Sequence, residues 1–140
     1  MTDIETAIKK LDGHSVCLCR FGEIITKNGR GISPLLDLIA EYKKLDGYSC
    51  ADLIIGKAAA MLMVKLGVKE VYGKVMSYPA VEVFKEYGIP FCCGTLTDKI
   101  INRQGTDICP MEKTVAGIDG IEDGYRALVQ AVEFLKKELL

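Results

Sequence analysis

Ser49-Cys50-Ala51-Asp52-Leu53-Ile54-Ile55-Gly56-Lys57-Ala58-Ala59-Ala60-Met61-Leu62-Met63-Val64-Lys65-Leu66-Gly67 is the stretch on which the fold turns. Ser49 followed three residues later by Asp52 is similar to a helix-capping box, with the acid one methylene shorter than usual. Behind it the apolar residues run through Leu66 with little polar interruption. The pattern predicts one helix, starting at Cys50-Ala51-Asp52 and hydrophobic nearly all round, and such a helix belongs at the centre of a core. Gly67 closes it.

Upstream, Ser33 caps a helix with Pro34 at its first position and Leu35, Leu38, Ile39 and Tyr42 on one face. Asp46-Gly47 ends it. Further back, Ile4, Ala7, Ile8 and Leu11 recur at helical spacing up to Asp12-Gly13. The run 14–20 then reads as a strand, which Gly22 turns into a second one through Ile24, Ile25 and Thr26. Asn28-Gly29-Arg30-Gly31 is a loop. Downstream, Val71, Gly73 and Val75 alternate through a strand, and Pro79 opens a helix carrying Ala80, Val83, Phe84 and Tyr87 inward. A strand over 89–93 follows, then a polar irregular segment over 94–107. A short helix starts at Cys109-Pro110-Met111-Glu112, and a last one groups Tyr125, Leu128, Val129 and Val132 before ending at Leu140. This order argues a three-layer α/β architecture, a mixed sheet flanked by helices, in one domain over 1–140.

Composition narrows the function classes. The 140 residues are 49% apolar and 26% charged, which is globular composition with enough length for one core. A net charge of −1, with lysines scattered among acids, gives no footprint for a phosphate backbone, so nucleic acid is not an expected partner. No run reaches the roughly twenty apolar residues of a membrane span, and the charged start has no signal-peptide core. The expected location is the cytoplasm. There the six cysteines are expected as thiols that fill strands, as in Val16-Cys17-Leu18-Cys19 and Phe91-Cys92-Cys93.

A hairpin, a central helix, a strand and a helix opening near Pro79 resemble the cytidine-deaminase-like fold. Residues 51–60, with Asn102-Arg103-Gln104-Gly105 and Cys109-Pro110-Met111-Glu112, are similar to a domain-of-unknown-function branch of that fold in bacteria and archaea whose members lack the zinc ligands. The resemblance spans nearly the whole chain. It implies a fold without a reaction, and the helix over 33–45 reads as an addition to the simplest deaminase layout.

The residues agree that zinc is out of place. A zinc deaminase needs a His or Cys and a Glu at one helix start and Pro-Cys-x-x-Cys at the next. Cys50 and Asp52 occupy the first position, but Met76-Ser77-Tyr78-Pro79-Ala80 at the second holds no cysteine, and the lone His14 lies on the hairpin. No metal ligand set and no cofactor is expected.

What stays is a pocket at the N-terminus of the central helix for a small anionic or nucleotide-like molecule. Asp52 reads either as a cap or as an acid-base group at the pocket floor. Lys57, an ammonium on an apolar helix, either snorkels or pairs with Asp52 to bind an anion. Cys109, before Pro110, is a structural thiol or a nucleophile at a helix start without an evident base. Cys50, Gly56, Ser77, Asn102, Arg103 and Glu112 complete the candidate ligand-binding set, Gly56 because glycine inside a helix suggests a close approach. A non-catalytic ligand-binding or protein-interaction module is the alternative, and homo-oligomerisation is compatible with either.

Overall fold

The computed structural model describes residues 1–138. Thr2 caps helix α1, Asp3–Lys10, through a reciprocal pair of contacts with Glu5. Strands β1, Val16–Arg20, and β2, Glu23–Lys27, form the expected hairpin, whose two turn residues Phe21 and Gly22 have φ of 50° and 81°. Positive φ at both positions matches the right-handed twist of the flanking strands. Helix α2, Ser33–Tyr42, follows, with Pro34 in its first turn.

The deciding stretch is not one helix. Ser49–Ile55 is strand β3, and helix α3 begins only at Lys57 and runs to Leu66, with Gly56 as its N-cap. A short apolar run has no periodicity of its own that separates a buried strand from a buried helix, and parallel strands covered by helices read as continuous apolar sequence. Gly56-Lys57 is therefore the strand-to-helix turn. Asp52 lies in a strand and not in the first turn of a helix, and Lys57 is the first helical residue instead of an interior one. The helix itself is as apolar as expected, with Ala58 through Met63 and Leu66 buried. It ends at Gly67, whose φ of 83° is the left-handed cap conformation.

Strand β4, Glu70–Ser77, helix α4, Tyr78–Glu86, and strand β5, Phe91–Thr97, continue the alternation. The last strand starts later and runs further than its apolar residues indicate, so Gly94 to Thr97 belong to the sheet and not to the irregular segment. Short helix α5, Pro110–Val115, and long helix α6, Ile121–Glu138, complete the described chain, and the expected end at Leu140 lies outside the described residues.

The five strands are ordered β2-β1-β3-β4-β5, with β1 antiparallel to β2 and β3 and the remaining pairs parallel. This is the mixed sheet flanked by helices that the element order predicts. Its two faces differ. One carries Val16, Leu18, Cys50, Val71 and Met76 into a large core with the helices after the hairpin, and α3 packs there against α2, α4, α5 and α6. The other is covered, among the described residues, by α1 alone, which buries Ala7 and Leu11 against Cys17, Cys19 and Ala51 and leaves β5 uncovered.

Candidate functional site

Parallel strands followed by helices gather their helix N-termini at the carboxyl ends of the strands, which is where open α/β sheets bind ligands. Here that edge brings together the starts of α3 and α4, after β3 and β4. Because β1 runs the other way, the end of β2 and the loop leading into α2 stand at the same edge: Val16 is flanked by Lys27 on one side and Asp52 on the other.

Asp52 sits between Val16 and Gly73 on the large-core face, the same face as Cys50. It is 9% exposed, and its Oδ1 accepts one long hydrogen bond, 3.4 Å, from the Ile54 N–H. Burial pushes its carboxyl up to about 7, against a smaller downward pull from the N–H groups of Ile54 and Leu53. No salt bridge reaches it among the described residues. Cys50 is fully buried, and burial, with Asp52 and Cys17 adding to it, holds its thiol well above the ordinary range, so it is an inert filler and not a nucleophile.

The start of α3 has a different occupant from a ligand. Gly56 offers no side chain to cap it, and Glu112 of α5 reaches in instead: its Oε1 accepts from the Lys57 N–H at 2.7 Å and its Oε2 from the Ala58 N–H at 2.8 Å. A Cβ on residue 56 would stand 2.4 Å from Glu112 Oε1, so glycine is there to admit the carboxylate. The charge also suits the positive end of the helix dipole. Lys57 does not pair with Asp52; its Nζ donates to the Ala116 carbonyl at 3.4 Å, across to the segment after α5. The expected acid-amine pair is absent, because moving the helix start to residue 57 separates the two residues onto different elements.

The other candidates divide in the same way. Ser77 is fully buried and caps α4, its Oγ accepting from the Ala80 N–H at 3.3 Å. Asn102 organises its own loop, with Oδ1 accepting from Thr106 N–H at 3.0 Å and Nδ2 donating to Thr106 Oγ1 at 3.1 Å. Arg103 is exposed on that loop. Cys109 is half-buried at the N-cap of α5 and packs against the main core. The edge therefore brings together Asp52, Gly56, Lys57, Ser77 and Glu112, while Asn102 and Arg103 belong to the loop beyond β5. Sequence reasoning missed the Glu112 cap. Its only signal was a helix start with glycine where Ser, Thr or Asp usually stands, which demands an acceptor from elsewhere.

Among the described residues no group of three or more His, Cys, Asp or Glu is placed to hold a metal ion. No helix among them is long and apolar enough to cross a membrane. All six cysteines are free.

These features define an α/β domain with a five-stranded mixed sheet, a carboxylate-capped central helix and a buried, unpaired acid at the strand edge. The family described as TM1506, domain of unknown function (DUF1893), matches residues 6–132, and the chain belongs to that family. The crystal structure of a DUF1893 family protein (TM1506) from Thermotoga maritima is similar to it, with a TM-score of 0.86 and 26% identity over 91% of this chain and 88% of that one. No curated protein matches the chain.

Proposed function

We propose that the protein binds a small nucleotide-like molecule at the carboxyl ends of its parallel strands and does not carry out zinc-dependent deamination. The observation that carries the reading is Asp52: a buried carboxyl without an ionic partner, titrating near 7, at the edge where helices begin. Such a group both donates and accepts near neutral pH, which suits the polar edge of a heterocycle. An anionic group on the same ligand has exposed Arg30 available, in the loop that leads from β2 into α2.

The resemblance to the cytidine-deaminase-like fold supports this location once it is shifted by one element. The helix after the hairpin is α2, so it is no addition to the layout, and the next helix start is that of α3. A deaminase would carry its ligands at these two starts. Here they read Ile32-Ser33-Pro34-Leu35 and Gly56-Lys57-Ala58-Ala59-Ala60, with no His or Cys, so the donor set does not fit zinc. Glu112 on the α3 start favours a second reading, a module that binds without turnover, since the chain's own carboxylate fills that helix end.

The test is a thermal-shift screen with nucleosides, nucleoside monophosphates and central metabolites, followed by calorimetry on any stabilising compound. The expected result is a ligand whose affinity falls in both Asp52→Asn and Arg30→Ala. A ligand bound equally by both variants would place the site elsewhere, and product formation on prolonged incubation would remove the turnover-free reading.

A further inference from the structure

A cleft of about 620 Å³ lies on the opposite face of the sheet, between the end of α1, the connection into β1 and the part of the sheet that α1 leaves bare. Its volume is within the range of small-molecule pockets. Neighbouring strand residues point to opposite faces, so Leu53 lines this cleft while Asp52 faces the main core. The cleft is thus separate from the site proposed above.

Its lining is specific in chemistry. Leu53 and Tyr72 form an apolar floor, with Ile8 and Leu11 of the α1 end as a wall. Leu53 is 38% exposed, unusual for a leucine in the middle of a sheet. Tyr72 reaches along the sheet toward β5, where a Cβ on Gly94 would stand 2.8 Å from the Lys74 carbonyl oxygen and 3.3 Å from the Tyr72 hydroxyl, so a glycine there lets both strand backbone and tyrosine approach. A flat, partly open aromatic surface results. On the rim, Lys74 is exposed and has no acidic partner among the described residues. The far end is held rigid: Ser15 Oγ donates to the Gly29 carbonyl at 2.7 Å, and His14 Nδ1 and Asn28 Oδ1 are 3.0 Å apart, which leaves His14 Nε2 for a ligand. Asp12 also lines the rim and disfavours a second negative charge.

From this juxtaposition we propose that the cleft binds a planar aromatic monocarboxylate, its ring on Tyr72 and Leu53 and its carboxylate at Lys74. A dianionic phosphate is selected against by Asp12, and an uncharged ring forgoes the ammonium.

The probes are 2-naphthoate, 2-naphthyl phosphate, 2-naphthalenemethanol and cyclohexanecarboxylate, titrated into the full chain and followed by amide chemical shifts. Saturable 2-naphthoate binding is expected, with the largest shifts at Leu53, Tyr72 and Lys74 and weaker binding of the other three. Lys74→Ala is expected to weaken 2-naphthoate about tenfold, as the loss of one charge-assisted contact does. Tyr72→Ala weakens it as well, and Asp52→Asn leaves it unchanged, which separates this site from the one at the strand ends. Absence of saturable binding at millimolar probe, unchanged affinity in Lys74→Ala, or equal affinity for 2-naphthalenemethanol would each overturn the assignment.

Discussion

The two faces of one sheet have been finished to different degrees. On the face with α2, α3 and α4, Val16, Leu18, Cys50, Val71 and Met76 are all at most 1% exposed, and even the charged residue on that face, Asp52, is buried. On the α1 face, cover thins across β4 and is gone at β5: Leu53 is about two-fifths exposed, Tyr72 is only partly buried, and Lys74 and Cys92 lie open. The difference teaches that the same alternation of side chains supports two kinds of surface. One is fixed by packing, where changes act on stability; the other is left to solvent, where changes act on what can bind.

The contrast can be tested from its strongest point downward. On the packed face an unfolded aspartate titrates near 4, whereas buried Asp52 titrates at about 7. Below about pH 4 both states are protonated and ionisation costs nothing. Between about 4 and 7 the unfolded chain loses its proton first, so stability falls as pH rises, and above about 7 the full penalty, on the order of 4 kcal/mol, is in place. Asp52→Asn is expected to unfold at higher urea than the parent at pH 8 and at similar urea at pH 4, so parallel midpoints at both values would remove Asp52 from the buried class. Next in size is Leu62→Ala on α3, fully buried, with an expected loss of about 2–5 kcal/mol in denaturant unfolding. Glu112→Ala comes third: losing two charge-assisted contacts to α3 is expected to lower stability by about 1–3 kcal/mol and to speed exchange of the Lys57 and Ala58 amides. Smallest is Leu53→Ala on the open face, expected to cost about 1 kcal/mol because the side chain is only partly buried. A larger drop there would mean that the face is covered in solution.

Much of this arrangement is legible in the chain itself. Periodicity and punctuation placed α1, the hairpin, α2, β4, α4 and the last two helices, because each has turn residues at its borders and an amphipathic pattern between them. The deciding stretch defeated the same reasoning for a physical reason: β3 and α3 are both buried on nearly every side, and burial erases the periodicity that tells strand from helix. Gly56 was the remaining clue, read as a packing glycine within a helix when it is the boundary. The misplacement carried into the site. It put Asp52 and Lys57 on one helix as an interacting pair, whereas the structure assigns the amine to Ala116 and leaves the acid alone in the sheet. Ser77 was correctly put at a helix start, and Glu112 was included without its partner, since a contact between residues 55 positions apart leaves no local trace.

That long-range contact has a bearing on how the chain acquires its structure. The opening turn of the innermost helix is completed by an atom group contributed from the last third of the polypeptide. During synthesis, everything up to β5 emerges before Glu112 does, so the start of α3 has only water as acceptor until α5 arrives. Closing so large a loop carries an entropic cost that only the later packing of α5 and α6 offsets. A fragment ending at residue 107 is therefore expected to show fast amide exchange at Lys57 and Ala58, with slow exchange restored in the full chain; protection already present in the fragment would contradict this order of assembly.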